Sequence, residues 1–283
     1  MPDGLCYPSG MPLSFVKLVA AGNAYLAVDG RARERDWPAL ARAMCRHRFG
    51  AGSDGLLVAV PSERAPIGLR IWNSDGSEAE MSGNGVRLFA KFVLEGGLVR
   101  AGAEGIAIET SAGLRTVWPE FAGARMVAGR VAMGVPEVEP GEARLALGDV
   151  VLTVVCLSLG NPHAVHVTER PVDGFPLAQL GPRVERHPRF PNRTNFEVVN
   201  VLARDRLRVR VFERGEGETL SSGTGSTASV VAARLAGRVE AEVAVELRGG
   251  VLRVRFEGQG HPAYLDGPTD EVFRGLWMDA RWG

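Results

Sequence analysis

Along most of the chain, apolar and polar residues alternate with a period of two, and only a few stretches switch to the helical period. The segments LSFVKLVA, GLLVAV, LRIWN, IAIETSAG, LRTVW, ARMVAGRVAMG, VVLTVVCLSLG and HAVHV predict strands. NFEVVNVLARDRLRVRVFER predicts two more, and AVELRGGVLRVRFEG predicts a hairpin. Three segments predict helices. DWPALARAMCRHR is amphipathic, with Asp36 as its cap and Pro38 in its first turn. GVRLFAKFVLEGG is closed by the Gly96-Gly97 pair, and SGTGSTASVVAARLAG follows a glycine-rich turn. Many strands with few helices predict an α+β fold.

The pattern occurs twice. Sliding the chain by 140 positions sets DGSEAEMSGNGVRLFA, from residue 75, over GEGETLSSGTGSTASV, from residue 215, without a gap. Glu78 then coincides with Glu218, Ser82 with Ser222, Gly83 with Gly223, and Gly85 with Gly225. Both copies follow a predicted strand and open a predicted helix. The expected architecture is two pseudo-symmetric α+β domains of similar topology, each contributing one Ser-Gly-x-Gly turn to a shared cleft. A length of 283 residues agrees with two domains, since single cores rarely grow beyond roughly 250 residues.

Composition narrows the partners. Thirty-three basic residues balance thirty-three acidic ones, with like charges clustered only in short runs such as RARER, so nucleic acid is not expected as a partner. No apolar run approaches the roughly 18 residues of a membrane span. Cys6, Cys45 and Cys156 are scattered and odd in number, which argues for a reducing compartment without a disulfide framework. MPDGLCYPSGMPL lacks the basic start and apolar core of a signal peptide and reads as a short extension, so a cytoplasmic location is expected.

The chemistry begins at the twin turns. A glycine-flanked turn that opens a helix offers free backbone N–H groups and a positive dipole end, and so favours an anion. Taken singly, Ser82 and Ser222 are good N-caps, worth ~1 kcal/mol each. Asn23, Asn73, Asn84, Asn161 and Asn195 recur at predicted strand ends and tight turns, and Glu213-Arg214 follows a strand. Neutral amides with one carboxylate and one guanidinium suit an amino acid, Arg214 pairing with a carboxylate and Glu213 with an ammonium. An exposed ion pair at a strand end is the plainer reading of Glu213-Arg214.

NSDGSEAEMSGNGVR, SLGNPHAV and FERGEGETLSSGTGS resemble, in order and spacing, the signature segments of diaminopimelate epimerases. FVKLVAAGNAYLAVD, LRGGVLRVRFEG and YLDGPTDEVFRG extend the resemblance over nearly the whole chain. It implies the diaminopimelate epimerase-like fold, each half a mostly antiparallel sheet around a central helix. Residues 1–128 with 269–283 would form one half and 129–268 the other. It further implies a homodimeric enzyme, without cofactor or metal, that interconverts LL- and meso-2,6-diaminopimelate by removing the α-proton from one face and returning one to the other. The two proton-transfer positions fall on Ser82 and Ser222. Substrate contacts fall on Asn23, Asn73, Asn161, Asn195, Glu213 and Arg214, and carboxylate-binding turns on Gly83-Asn84 and Gly223-Thr224. His163, after Asn-Pro, is expected to orient its neighbours.

The family carries cysteine at positions 82 and 222. A thiol titrates near ~8.5 and drops further at a helix N-terminus, whereas a dipole worth ~0.3 to 2 kcal/mol cannot populate a serine alkoxide near neutrality. Leu88 and Thr227 also stand where cysteine is frequent in the family. Three readings follow: an epimerase impaired at both base positions, a sister isomerase or dehydratase in which Glu78, Glu218 or Asp75 is the base, or a silent amino-acid-binding paralogue.

Overall fold

The structure, a computed structural model, describes residues 12–32 and 34–278. The N-terminal extension and Cys6 lie outside the described residues. The first part of the chain comprises β1 (Leu13–Ala20), β2 (Asn23–Asp29), α1 (Trp37–Met44), β3 (Gly55–Val60), β4 (Ile67–Asn73), β5 (Glu78–Ala79), α2 (Gly83–Glu95), β6 (Ile106–Thr110), β7 (Gly113–Ala122) and β8 (Arg125–Gly134). The second comprises β9 (Glu137–Val138), β10 (Ala143–Leu147), β11 (Val150–Ser158), β12 (Pro162–Thr168), α3 (Leu177–Glu185), β13 (Asn195–Ala203), β14 (Arg206–Glu213), β15 (Gly217–Thr219), α4 (Gly223–Leu235), β16 (Glu242–Leu247), β17 (Gly250–Phe256), β18 (Ala263–Pro268) and β19 (Asp270–Trp277).

Strand pairing repeats as the sequence does. Antiparallel β1–β2 and parallel β2–β3 recur as β11–β12 and β12–β13. Antiparallel β3–β4 and parallel β4–β6 recur as β13–β14 and β14–β16. Most remaining pairs are antiparallel, and β8 against β18 joins the two halves into one curled sheet. β8 then leads to β9, which pairs with β11, and β18 leads to β19, which pairs with β1. The fold is thus the expected two-domain, sheet-rich one.

Each half wraps its sheet around one central helix. In α4 every residue from Gly223 to Ala233 is buried. Burial on all sides explains why its residues are small, and the hydroxyls of Ser226, Thr227 and Ser229 donate to the carbonyls of Ser222, Gly223 and Gly225 at 2.7, 2.9 and 2.7 Å. Thr227 therefore needs no partner outside its own helix. α2 buries ten residues, among them Leu88, Phe89 and the Arg87 guanidinium. Leu57, Leu88, Phe89, Val209, Val230 and Leu265 belong to a single core cluster that spans both halves.

The helices differ from the sequence reading in three respects, and β2, β10, β18 and β19 are strands it did not predict. α3 is not predicted by the periodicity, because Pro182 sits inside it and Gly181 beside it. Gly181 is required there, since a Cβ would lie 2.4 Å from the Phe212 ring. α1 stops at Met44, and the chain turns through residues 47–50 instead of continuing to Arg48. α2 begins at Gly83, directly after its cap, rather than at Gly85.

Candidate active site

The two glycine turns meet. A Cβ on Gly223 would lie 2.9 Å from Asn84 N and 3.0 Å from Gly83 Cα, so the first turns of α2 and α4 abut at their backbones. Two positive helix ends in contact repel each other, and the leading N–H groups of a helix have no partners within it. An anion held between them relieves both conditions.

Ser82 and Ser222 cap these helices in matching extended conformations, each accepting from the N–H three residues on, Gly85 at 3.0 Å and Gly225 at 3.2 Å. Beyond that bond their partners diverge. Tyr25 Oη stands 3.0 Å from Ser82 Oγ. Ser222 Oγ donates to Glu213 Oε2 at 3.0 Å, while Thr219 donates to Glu213 Oε1 at 2.6 Å. Burial raises the Glu213 carboxyl to about 7, against the lowering effect of these two hydroxyls. Burial likewise holds the Tyr25 phenol well above its ordinary value.

Both serines line one cavity of about 400 Å³ between the halves, together with Asn23, Asn73, Gly83, Asn161, Asn195, Glu213, Arg214, Gly223 and Thr224. Among the residues singled out from the sequence, Asn84 does not line it. It is fully buried, its side chain donating to Ser221 Oγ at 3.3 Å and accepting from Arg87 at 2.8 Å, a link across the halves. Asn23 donates to Asp54 at 2.6 Å, and Asn73 donates to Ser77 at 3.0 Å. Asn195 accepts from the Arg214 N–H at 2.9 Å and so fixes the start of the turn after β14. Arg214 pairs with Glu80 at 2.6 Å, the second half reaching into the first. A larger hollow, about 720 Å³, lies against Trp118, Arg130 and Tyr264 on β7, β8 and β18, but neither glycine turn reaches it.

His163 is buried between Glu197 Oε1 at 2.7 Å and Asn161 Oδ1 at 3.0 Å. An amide oxygen only accepts, so Nε2 donates to Asn161. That turns the Asn161 amide NH₂ toward Thr224, 3.3 Å away. His163 thus bridges Glu197 and Asn161, and Asn161 in turn reaches Thr224 on the second glycine turn.

The carboxylates considered as alternative bases are engaged elsewhere. Glu78 is paired with Arg70, and Glu218 with Arg210 and Arg248, and these arginine bonds hold both carboxyls below their ordinary value. Asp75 accepts from the Ser77 hydroxyl and N–H, with the same effect. None of the three has the raised affinity for a proton that a base near neutrality needs. Tyr25, Asp54, Glu80, Glu197 and Glu216 were not singled out from the sequence. Tyr25 stands two residues after Asn23 in β2, and Glu197 two after Asn195 in β13, so strand alternation alone puts each on the same face as a recognised neighbour.

The sequence model of the diaminopimelate epimerase family matches residues 15–138 and 155–272, most of the chain in two stretches. The chain belongs to the diaminopimelate epimerase family. It is 43% identical over 277 residues to a diaminopimelate epimerase of Moorella thermoacetica, covering 93% of this chain and 98% of that one. It is 42% identical to one from Halorhodospira halophila, with 93% and 94% covered. Among solved structures, a hydroxyproline epimerase from Agrobacterium vitis with bound trans-4-hydroxy-L-proline superposes with a TM-score of 0.75 at 16% identity, covering 94% and 92%. A PhzF-family protein from Bacillus anthracis gives 0.74 at 16%, covering 95% and 99%. At such identities these structures show the shared fold alone.

Proposed function

We propose that this chain is a cofactor-independent isomerase that binds 2,6-diaminopimelate in the cleft and interconverts its LL and meso forms by proton transfer at one α-carbon. The observation that carries this reading is the contact of the two helix N-termini beneath one polar cavity, with a hydroxyl standing at each. A carboxylate on the leading N–H groups of Gly83-Asn84 and Gly223-Thr224 places the adjacent α-carbon between Ser82 and Ser222. Asp54, Asp75, Glu78, Glu80, Glu213 and Glu216 outnumber Arg193 and Arg214 in the lining, a balance suited to a ligand with two ammonium groups. Asn23, Asn73, Asn161 and Asn195 would complete the polar contacts.

Inversion through serine is slow on this reading, because neither hydroxyl can become the anion that a thiol becomes. Restoring sulfur tests it. The Ser82→Cys, Ser222→Cys double variant should invert diaminopimelate faster than the natural chain by about 10²-fold or more, since each positioned base contributes ~10² to 10⁴. A folded double variant that neither binds nor inverts diaminopimelate refutes the assignment.

A cytoplasmic homodimer completes the proposal. Location follows from the biosynthetic reading. Dimerisation is supported by β19, which among the described residues pairs only with β1 and leaves Val272, Phe273 and Leu276 exposed along its length.

A further inference from the structure

We infer that the two turns have opposite proton polarity: the Glu213–Ser222 pair withdraws the α-proton, and the Tyr25–Ser82 pair supplies one to the other face. This rests on the proposed diaminopimelate reading. A serine hydroxyl has one hydrogen to give and two lone pairs to receive. At Ser222 the hydrogen is committed to Glu213 and one lone pair to the Gly225 N–H, which leaves one lone pair free. At Ser82 the Gly85 N–H takes one lone pair and Tyr25, the stronger acid of the two hydroxyls, takes the other. What remains there is the hydrogen, which has no protein acceptor among the described residues.

The proton balance follows from these bonds. The Cα–H bond breaks with its electron pair left on carbon; the proton goes to Ser222 Oγ while the hydroxyl proton of Ser222 goes to Glu213 Oε2, giving a carboxylic acid. On the opposite face, Ser82 gives its proton to carbon and recovers one from Tyr25, leaving a phenolate. One negative charge has moved from Glu213 to Tyr25. Resetting the site takes a proton off Glu213 and returns one to Tyr25 through water. Withdrawal ends on a carboxylate whose proton affinity suits neutral solution, whereas delivery ends on a buried phenolate. Removal and return of a proton on the Ser222 side therefore outruns inversion.

The hydrogen-bond arrangement is unequal although the fold is symmetric. Glu213 and Asn73 are equivalent at the ends of β14 and β4, and Tyr25 and His163 are equivalent by their pairing with Gly55 and Asn195. Asn73 and His163 turn away to Ser77 and Glu197, so each serine keeps a different one of the two available partners.

The test uses the natural chain in D₂O, with LL- and meso-diaminopimelate supplied separately, following deuterium at the α-carbon by NMR and inversion by chiral chromatography. One isomer should take up deuterium with retention faster than it inverts, and the other should not. Glu213→Gln should lower that uptake about 10²-fold or more. Tyr25→Phe should raise the ratio of exchange to inversion about tenfold or more, a readout that general loosening of the site would not move in this direction. Equal uptake from both isomers, uptake insensitive to Glu213→Gln, or a ratio unmoved by Tyr25→Phe overturns the inference. If the double-cysteine variant inverts diaminopimelate while the natural chain exchanges neither isomer, the polarity is wrong and the substrate reading survives. If the folded double variant is also silent, both fall together.

Discussion

Replacing Glu213 with glutamine isolates a single titration. Glutamine keeps the shape and one acceptor for Ser222 or Thr219 but cannot ionise. In the native chain the Glu213 carboxyl is raised from 4.5 to about 7 by burial, so between these values the folded state holds a proton that the unfolded state has lost. Stability then falls as pH rises through this window, since the slope follows the excess of protons bound by the unfolded state, here negative. Each tenfold change in proton affinity is worth about 1.4 kcal/mol, which sets an upper figure of about 3 kcal/mol for the whole shift. Glu213 keeps partial access to the cleft, which reduces the expected effect to about 2 kcal/mol. Urea unfolding of both proteins from pH 4.5 to 8 measures it. The natural chain should lose about 2 kcal/mol relative to Glu213→Gln across that range, most of it between pH 5 and 7. Glu197 and Glu216, also raised chiefly by burial, are present in both proteins and largely cancel in the difference. A flat difference curve, or one that rises with pH, would mean that the carboxyl holds a proton no more tightly in the folded state than in the unfolded one, and the relay through Ser222 would end on too weak a base.

Two further outcomes bear on the cleft and the core. Gly223→Ala places a methyl 2.9 Å from Asn84 N and 2.9 Å from Leu265 Cδ2, so the helix ends must separate; stability by urea unfolding should drop by about 1 to 3 kcal/mol, with weaker diaminopimelate binding by calorimetry. Cys45, buried beneath Ser53 and raised to about 11 by burial, should resist maleimide under native conditions and react at the rate of unfolding in urea, as read by mass spectrometry.

The repeat was legible because its identities mark one topological place: the end of a strand, a short return strand and a helix start. Four coincidences at a common shift were enough to predict twin turns facing one cleft. The same coincidences also misdirected. Glu78 and Glu218 match because each answers an arginine eight residues upstream, Arg70 and Arg210, which obey the same shift of 140. The ion pair staples the return strand to its neighbour in both halves, so identity there reports scaffold rather than chemistry. α3 escaped because Pro182 breaks the sequence signal while its ring is tolerated, and Glu197 escaped because an acidic residue inside NFEVVNV reads as a solvated strand position until His163 is seen against it.

In a duplicated fold, positions that agree between the halves build the frame, and a reaction that inverts a stereocentre is carried by positions that differ. Helix caps, glycines and arginine–glutamate staples agree. Tyr25 against His163, and Asn73 against Glu213, do not. Two thiols could serve either direction, since each can be thiolate or thiol near neutrality. A hydroxyl has no such freedom, and its behaviour is set by what it is bonded to. With oxygen at both turns, the difference between a phenol neighbour at Ser82 and a carboxylate neighbour at Ser222 becomes the direction of proton flow.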